Sequence, residues 1–224
     1  MAVEPDAGRT PSGIVWIAAP ADWFRVLVPP RPLTAAEALR DYPRALVLLD
    51  GAMFTFCPGE PHDYARYNCA SLPYGAVDPL TGARNPSLYP DRGGTLTVTG
   101  NMASVASGWS TPPWGGVAWQ GYPLLVSGGV PERFTGDADR VERAAVGLLP
   151  DGRVVFATGV SGMAEFARGL AGLGLSWAAY SDGGGSTALV VKDGERILED
   201  RPGNAVARRV ASFVGFSPND RRAW

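Results

Sequence analysis

Residues 142–159 read ERAAVGLLPDGRVVFATG, two apolar runs separated by Pro150-Asp151-Gly152. A proline, an aspartate and a glycine in succession are typical of a tight turn, and the flanking runs have the length of strands. The segment therefore predicts a hairpin of two antiparallel strands. Similar short apolar runs occupy residues 120–129 and 187–198, the second interrupted by the turn Asp193-Gly194.

One helix is predicted directly after this hairpin, over residues 162–173. Met163, Phe166, Ala167 and Leu170 repeat at helical spacing. Ser161 or Gly162 can cap its start, and Gly174 suits the position after its end.

Upstream, residues 44–49 (RALVLL) are almost continuously apolar, as in a strand buried on both faces, and the run ends at Asp50-Gly51. Strands are predicted at residues 13–18 and 23–28, and a helix at 34–40. The tail, residues 205–216, predicts a strand or a short helix.

Between residue 51 and about residue 120 the chain is rich in Pro, Gly, Tyr and Trp, and only residues 95–99 (TLTVT) resemble a strand. A loop region of this length is usually functional. The predicted fold class is therefore α+β. We expect one domain over residues 1–224, built on a mostly antiparallel or mixed twisted sheet with a few helices and a long loop-rich insertion.

Composition excludes several classes of protein. The chain has 224 residues, 46% hydrophobic and 19% charged, with a net charge of −2, which is ordinary for a globular protein. Nothing in this balance favours a nucleic-acid partner, and no apolar run approaches the roughly 20 residues of a membrane span. No signal peptide is visible at residues 1–13, so a cytoplasmic location is the default expectation.

Cys57 and Cys69 lie on either side of His62, the only histidine. A zinc site needs more ligands at tighter spacing, so neither a metal nor a cofactor is predicted. Without an export signal, free thiols are favoured over a disulfide. His62 is either a general base or, more simply, an incidental loop residue.

Residues 181–190 read SDGGGSTALV, and three successive glycines exceed what a two-residue hairpin turn needs. Backbone without Cβ atoms allows consecutive N–H groups to point at one anion. In this interpretation Ser186 and Thr187 add hydroxyl donors, and Asp182 lies at the rim. The alternative is a flexible turn or bulge between strands. The lysine and following helix of a P-loop are missing.

The order of these motifs resembles the phosphodiester glycosidase family over residues 44–216. Residues 120–129 are similar to its strand before an arginine motif, and residues 142–159 to its R-T-A-x-G-x-x-x-D-G-R segment, with Arg143 on the arginine. SDGGGSTALVV resembles its N-x-D-G-G-G-S-[ST] signature. Three departures stand out: Asp50-Gly51-Ala52-Met53-Phe54 replaces N-G-G-F-F, Ala144 replaces threonine, and Tyr180 stands where asparagine is common.

The resemblance implies cleavage between a sugar anomeric carbon and a phosphodiester oxygen, with a small-molecule or glycan substrate. The residues fit this chemistry. Arg143 can grip two phosphate oxygens through its fork, and a carboxylate must act at the anomeric carbon. Asp182 is the first candidate and Asp50 the second. The predicted substrate-binding residues are Gly183, Gly184, Gly185, Ser186, Thr187, Gly51 and Trp114.

Structural alternatives remain open for both charged candidates outside the glycine run. Asp50 would repel an anionic substrate unless its pKa is raised and it stays protonated as an acid; otherwise it only ends a strand. Arg143 alternatively forms a surface or supporting ion pair.

The aromatic, proline-rich stretch 54–119 is predicted to cover the mouth of the cleft. Within it, Trp109, Trp114 and Trp119 either stack on a sugar or, for at least two of them, pack in the core.

Two further functions stay open beside the hydrolase. The first is a phosphosugar- or glycan-binding module of a virion or cell-surface assembly, which the changes at Asp50 and Ala52 favour. A nucleotide-handling enzyme is the weaker alternative, since nucleoside diphosphate sugars contain the same bond.

Overall fold

The computed structural model describes residues 5–27, 29, 33–50, 93–108, 116–135, 139–193, 196–200, 210 and 212–218. The helices in this part are α1 (Ala35–Asp41) and α2 (Met163–Gly172). The strands are β1 (Asp6–Arg9), β2 (Val15–Ala19), β3 (Phe24–Leu27), β4 (Val47–Asp50), β5 (Gly94–Thr99), β6 (Met102–Ser107), β7 (Val117–Gly121), β8 (Leu124–Ser127), β9 (Val130–Pro131), β10 (Val141–Leu148), β11 (Val154–Ser161), β12 (Trp177–Gly183), β13 (Leu189–Asp193), β14 (Arg196–Asp200) and β15 (Phe213–Phe216).

The strands form three sheets. A seven-stranded sheet has the order β1-β2-β11-β10-β12-β8-β9, a five-stranded sheet the order β14-β13-β4-β15-β3, and a three-stranded sheet the order β6-β5-β7. Every pairing between the described strands is antiparallel. The predicted α+β class with a mostly antiparallel sheet is confirmed.

The two larger sheets pack face to face, and each carries a helix on its outer face. Phe156 of β11 stacks on Phe216 of β15 with ring centroids 3.9 Å apart, which joins the two inner faces. Phe166 of α2 packs on the outer face of the seven-stranded sheet, and Leu39 of α1 packs on that of the five-stranded sheet. The order of layers is therefore helix, sheet, sheet, helix, which explains why central strands are apolar at successive positions.

The local predictions around the hairpin are confirmed. Strands β10 and β11 pair from Val141↔Ser161 to Leu148↔Val154, and Gly152 in their turn has φ +87°. Helix α2 begins after Gly162 and is followed by Gly174 with φ +83°. In the described part of the tail, Phe213–Phe216 form the strand β15.

The expectation of a single strand between residues 51 and 120 is wrong. Besides β5, strands β6 and β7 flank it to make the three-stranded sheet. The sequence of β6, MASVAS, shows no apolar alternation because this edge strand is mostly exposed; backbone pairing alone holds it to β5. β1 was not expected either, and it is likewise an exposed edge strand.

Helix length also bears on membrane association. Neither helix in the described ranges is long and apolar enough to cross a bilayer.

Candidate functional site

The site begins where β10 and β12 pair out of step. Ala145 lies opposite Tyr180, but Arg143 lies opposite Gly183, so two residues of β10 face three of β12. In regular register Asp182 would face Arg143. The extra residue is a β-bulge, which bends the strand and redirects its side chains. It places the start of the glycine run beside Arg143.

Arg143 is buried, with 7% of its surface exposed. Its Nε donates to the carbonyl oxygen of Ser161 at 3.2 Å, and its Nη2 donates to that of Asp139 at 3.3 Å. Because the residue is almost fully buried, the surface form of the alternative ion pair is wrong, and the supporting form remains an alternative. These bonds fix the direction in which the guanidinium faces.

The aromatic ring of Tyr180 lies against the same guanidinium. The Arg143 Cζ stands 5.8 Å from the ring centroid. Burial is the main reason that the pKa of Tyr180 rises to about 12, and the neighbouring Arg143 partly offsets this rise. The phenol therefore keeps its proton throughout the physiological range.

The glycine run connects the two large sheets instead of closing a hairpin, because β12 belongs to the seven-stranded sheet and β13 to the five-stranded one. A short 3₁₀ turn, Gly184–Ser186, carries the crossing. Gly183 N–H donates to Asp182 Oδ1 at 2.7 Å, so one of the three glycine amides already bonds within the loop. Ser186 and Thr187 are both buried.

Gly184 has a conformational reason to be glycine, since its φ is +61°. Its Cβ would meet no atom within 4 Å, so backbone strain alone opposes substitution. Gly184→Ala is expected to lower the free energy of unfolding by about 1–2 kcal/mol, measured by denaturant titration. Gly172→Ala, in α2 with equally open space and no positive φ, should cause no loss. Equal losses in both variants would contradict this account.

Asp50 approaches the loop from the other sheet, at the end of β4, and is 1% exposed. Its carbonyl oxygen accepts from Ser181 Oγ at 2.7 Å, and its Oδ1 accepts from Ala188 N–H at 3.4 Å. Its Oδ2 has no hydrogen-bond partner among the described residues.

Burial, and secondly the negative charge of Asp182, raise the pKa of Asp50 well above its ordinary value. The lack of solvent and the nearby charge of Asp182 therefore both favour the protonated form of Asp50.

The structure thus brings together Asp50, Arg143, Asp182 and Gly183 from three strands, with Ser186 and Thr187 on the following turn. Gly51, Trp114 and the neighbouring Trp109 lie outside the described residues, as do Cys57, His62 and Cys69. Trp119 is a core residue between the sheets, so packing accounts for it. Of the stretch predicted to cover the cleft, residues 93–108 and 116–119 form most of the three-stranded sheet; 51–92 are not described.

Two residues of the site were not singled out from the sequence. Tyr180 and Ser181 precede Asp182, and their contacts depend on the bulge and on the approach of β4. The only sequence signal was the departure at Tyr180, a large aromatic next to a run of residues without side chains.

Comparison with known proteins shows the family of the chain. The sequence model of the phosphodiester glycosidase family matches residues 72–217. This range includes Arg143 and the whole glycine run, but not Asp50. No curated protein sequence matches the chain.

Solved structures share the fold. The catalytic domain of zebrafish N-acetylglucosamine-1-phosphodiester α-N-acetylglucosaminidase, auto-inhibited by its pro-peptide, superposes with a TM-score of 0.65 at 15% identity, covering 96% of this chain and 82% of that one. A hypothetical protein from Synechocystis gives 0.60 at 16% identity, covering 94% and 61%. With the family match extending over more than half of its residues, this chain belongs to the phosphodiester glycosidase family.

Proposed function

We propose that the protein is a hydrolase that cleaves the bond between a sugar anomeric carbon and a phosphodiester oxygen. The observation that carries this proposal is the carboxyl pair: Asp50 is buried against the glycine run, and burial and the negative charge of Asp182 raise its pKa and favour its protonated form. Neighbouring carboxyl groups held in different protonation states are the usual arrangement for an acid and its partner in glycoside hydrolysis.

A protonated Asp50 also resolves the charge problem of the substrate. A phosphodiester carries one negative charge, and two ionised carboxylates beside it would repel it. With Asp50 neutral, Arg143 balances the phosphate while Asp182 is free to act at the anomeric carbon. The attraction between the guanidinium and the phosphate is stronger in this buried setting than it would be in water.

The reaction then balances in atoms and charge. The bond from the anomeric carbon to the phosphate oxygen breaks, and both of its electrons leave with the phosphate, which Arg143 stabilises. A water oxygen bonds to the anomeric carbon, with Asp182 as the assisting carboxylate. Asp50 donates its proton to the departing oxygen, Asp182 accepts a proton from the water, and passage of that proton to Asp50 returns both carboxyl groups to their starting states. The products are a free sugar and a phosphate monoester.

The proton on Asp50 makes a testable difference to stability. The folded protein keeps a proton that the unfolded chain loses near the ordinary pKa of 3.8, so the free energy of unfolding falls as pH rises from there through the folded-state pKa. Asp50→Asn has no proton to lose. Its Tm should therefore exceed that of the unaltered protein by an amount that grows with pH across this window, while kcat falls by about 10²-fold or more.

Asp151→Asn provides a control of opposite sign. The backbone N–H of Arg153 is the first cause that lowers the pKa of Asp151, so that carboxylate stabilises the fold above its ordinary pKa and loses this contribution in acid. Parallel Tm curves for Asp50→Asn and the unaltered protein would refute the protonated Asp50.

The function itself is tested by turnover of a chromogenic sugar phosphodiester, beginning with N-acetylglucosamine-1-phosphodiesters because the zebrafish relative is named for that bond. Release of the chromophore, lost in Asp182→Asn, is the expected result. A rise in Tm with ligand but no release would instead favour the phosphosugar-binding module.

A further inference from the structure

We propose that Tyr180 is a positioning residue for Arg143: its phenol holds the guanidinium in the orientation that receives the phosphate, and Gly183 is a glycine because that phenol occupies the space above it. This inference rests on the proposed function for the identity of the ligand, but the contact that it describes is independent of any ligand.

The first support is the contact between the two side chains. The guanidinium lies 5.8 Å from the Tyr180 ring centroid, within range of a cation–π attraction, and the phenol hydroxyl lies over Gly183, the residue opposite Arg143. Two donors of the guanidinium are held by the carbonyl oxygens of Ser161 and Asp139. The contact with the aromatic ring and the hydrogen bonds from its N–H groups leave the guanidinium little freedom to rotate.

The second support is that Tyr180 itself is held. Its N–H donates to the carbonyl oxygen of Pro123 and its carbonyl oxygen accepts from Tyr122 N–H, both at 2.9 Å. The side chain is 8% exposed and packs in the cluster under α2. Because the backbone and the ring of Tyr180 are both fixed, Tyr180 can restrict the orientation of the Arg143 side chain.

The third support comes from Gly183. A Cβ there would overlap the Tyr180 hydroxyl and would also come within 2.8 Å of the Glu142 carbonyl oxygen. The backbone of Gly183 is ordinary extended strand, with φ −155° and ψ −177°, so conformation does not require glycine at this position. Space for the phenol, together with the close Glu142 carbonyl oxygen, does.

The contact between Tyr180 and Arg143 affects ligand binding. A guanidinium that is already oriented before the ligand arrives loses less conformational entropy on binding. Its bidentate contact with phosphate is therefore more favourable. Losing the phenol oxygen should weaken phosphate binding without removing the positive charge.

The experiment measures the dissociation constant of inorganic phosphate by calorimetry for the unaltered protein, Tyr180→Phe, Arg143→Ala and the control Tyr42→Phe, a tyrosine at the end of α1. Tyr180→Phe should weaken binding about three- to tenfold, the size of one polar contact. Arg143→Ala should weaken it further, and Tyr42→Phe should bind as the unaltered protein does. Unchanged affinity in Tyr180→Phe, with loss in Arg143→Ala, would overturn the positioning role alone.

A second measurement needs no ligand. Gly183→Ala should lower Tm more in the unaltered background than in Tyr180→Phe, because the overlapping hydroxyl is then gone and only the Glu142 carbonyl oxygen and the ring Cζ remain as close contacts. Equal losses in the two backgrounds would overturn the claim that the phenol requires Gly183. If the unaltered protein does not bind phosphate, the result counts against the proposed function and against the ligand part of this inference. The comparison of Gly183→Ala in the two backgrounds still tests the contact between Tyr180 and Gly183.

Discussion

Asp182→Asn is expected to lower kcat/KM for a sugar phosphodiester by about 10⁴-fold, the upper range for removing an acid–base or nucleophilic group. An amide neither attacks the anomeric carbon nor accepts a proton from water. The fold should survive, because the asparagine oxygen can still accept from Gly183 N–H as Asp182 Oδ1 does. The measurement is steady-state turnover together with Tm for the same preparation.

Asp151→Asn, in the exposed turn between β10 and β11, is the matched control and should keep full turnover. Near-normal turnover in Asp182→Asn would remove Asp182 from the mechanism and make Asp50 the candidate carboxylate. A collapse of Tm would show that the carboxylate holds the loop together, and that SDGGGS is mainly a structural crossing.

Arg143→Ala should lower kcat/KM by about 10²–10³-fold, as expected for the loss of one preorganised charge that faces the departing phosphate. Arg143→Lys should recover part of this, since a point charge lacks the planar fork. Some stability will also be lost in Arg143→Ala, because the carbonyl oxygens of Ser161 and Asp139 each lose a donor. Kinetics should therefore be measured well below the Tm of each variant.

Arg140→Ala is the control for removing an arginine, because Arg140 lies directly before β10, the strand that carries Arg143. Its ion pair with Glu165 is exposed, and exposed pairs contribute little to stability. Turnover in Arg140→Ala should be near normal. Full recovery by Arg143→Lys would show that the fork is unnecessary, and unchanged turnover in Arg143→Ala would mean that the buried guanidinium does not bind the phosphate.

The sequence determined the elements whose signals are local. Continuous apolar runs predicted the buried strand β4 and the β10–β11 hairpin, and helical spacing predicted α2, because each pattern follows from the burial of neighbouring residues along the chain. The motif order also indicated the family. The hypothesis that Arg143 and the glycine run belong to one site also came from the motif order.

Exposed edge strands gave no such signal. β6 contains small and polar residues, and only its pairing with β5 makes it a strand. The same holds for β1 beside β2.

The tertiary structure alone decided the chemistry of the individual side chains. One extra residue in β12 sets Gly183, not Asp182, opposite Arg143, and the meeting of β4 with the glycine run buries Asp50 beside Asp182, which raises its pKa. A one-residue register shift and a contact between residues more than 130 positions apart leave no periodic trace in the chain. Desolvation and charge proximity depend on three-dimensional distance, so the sequence named Asp50 and Asp182 but could not show that the pKa of Asp50 is raised.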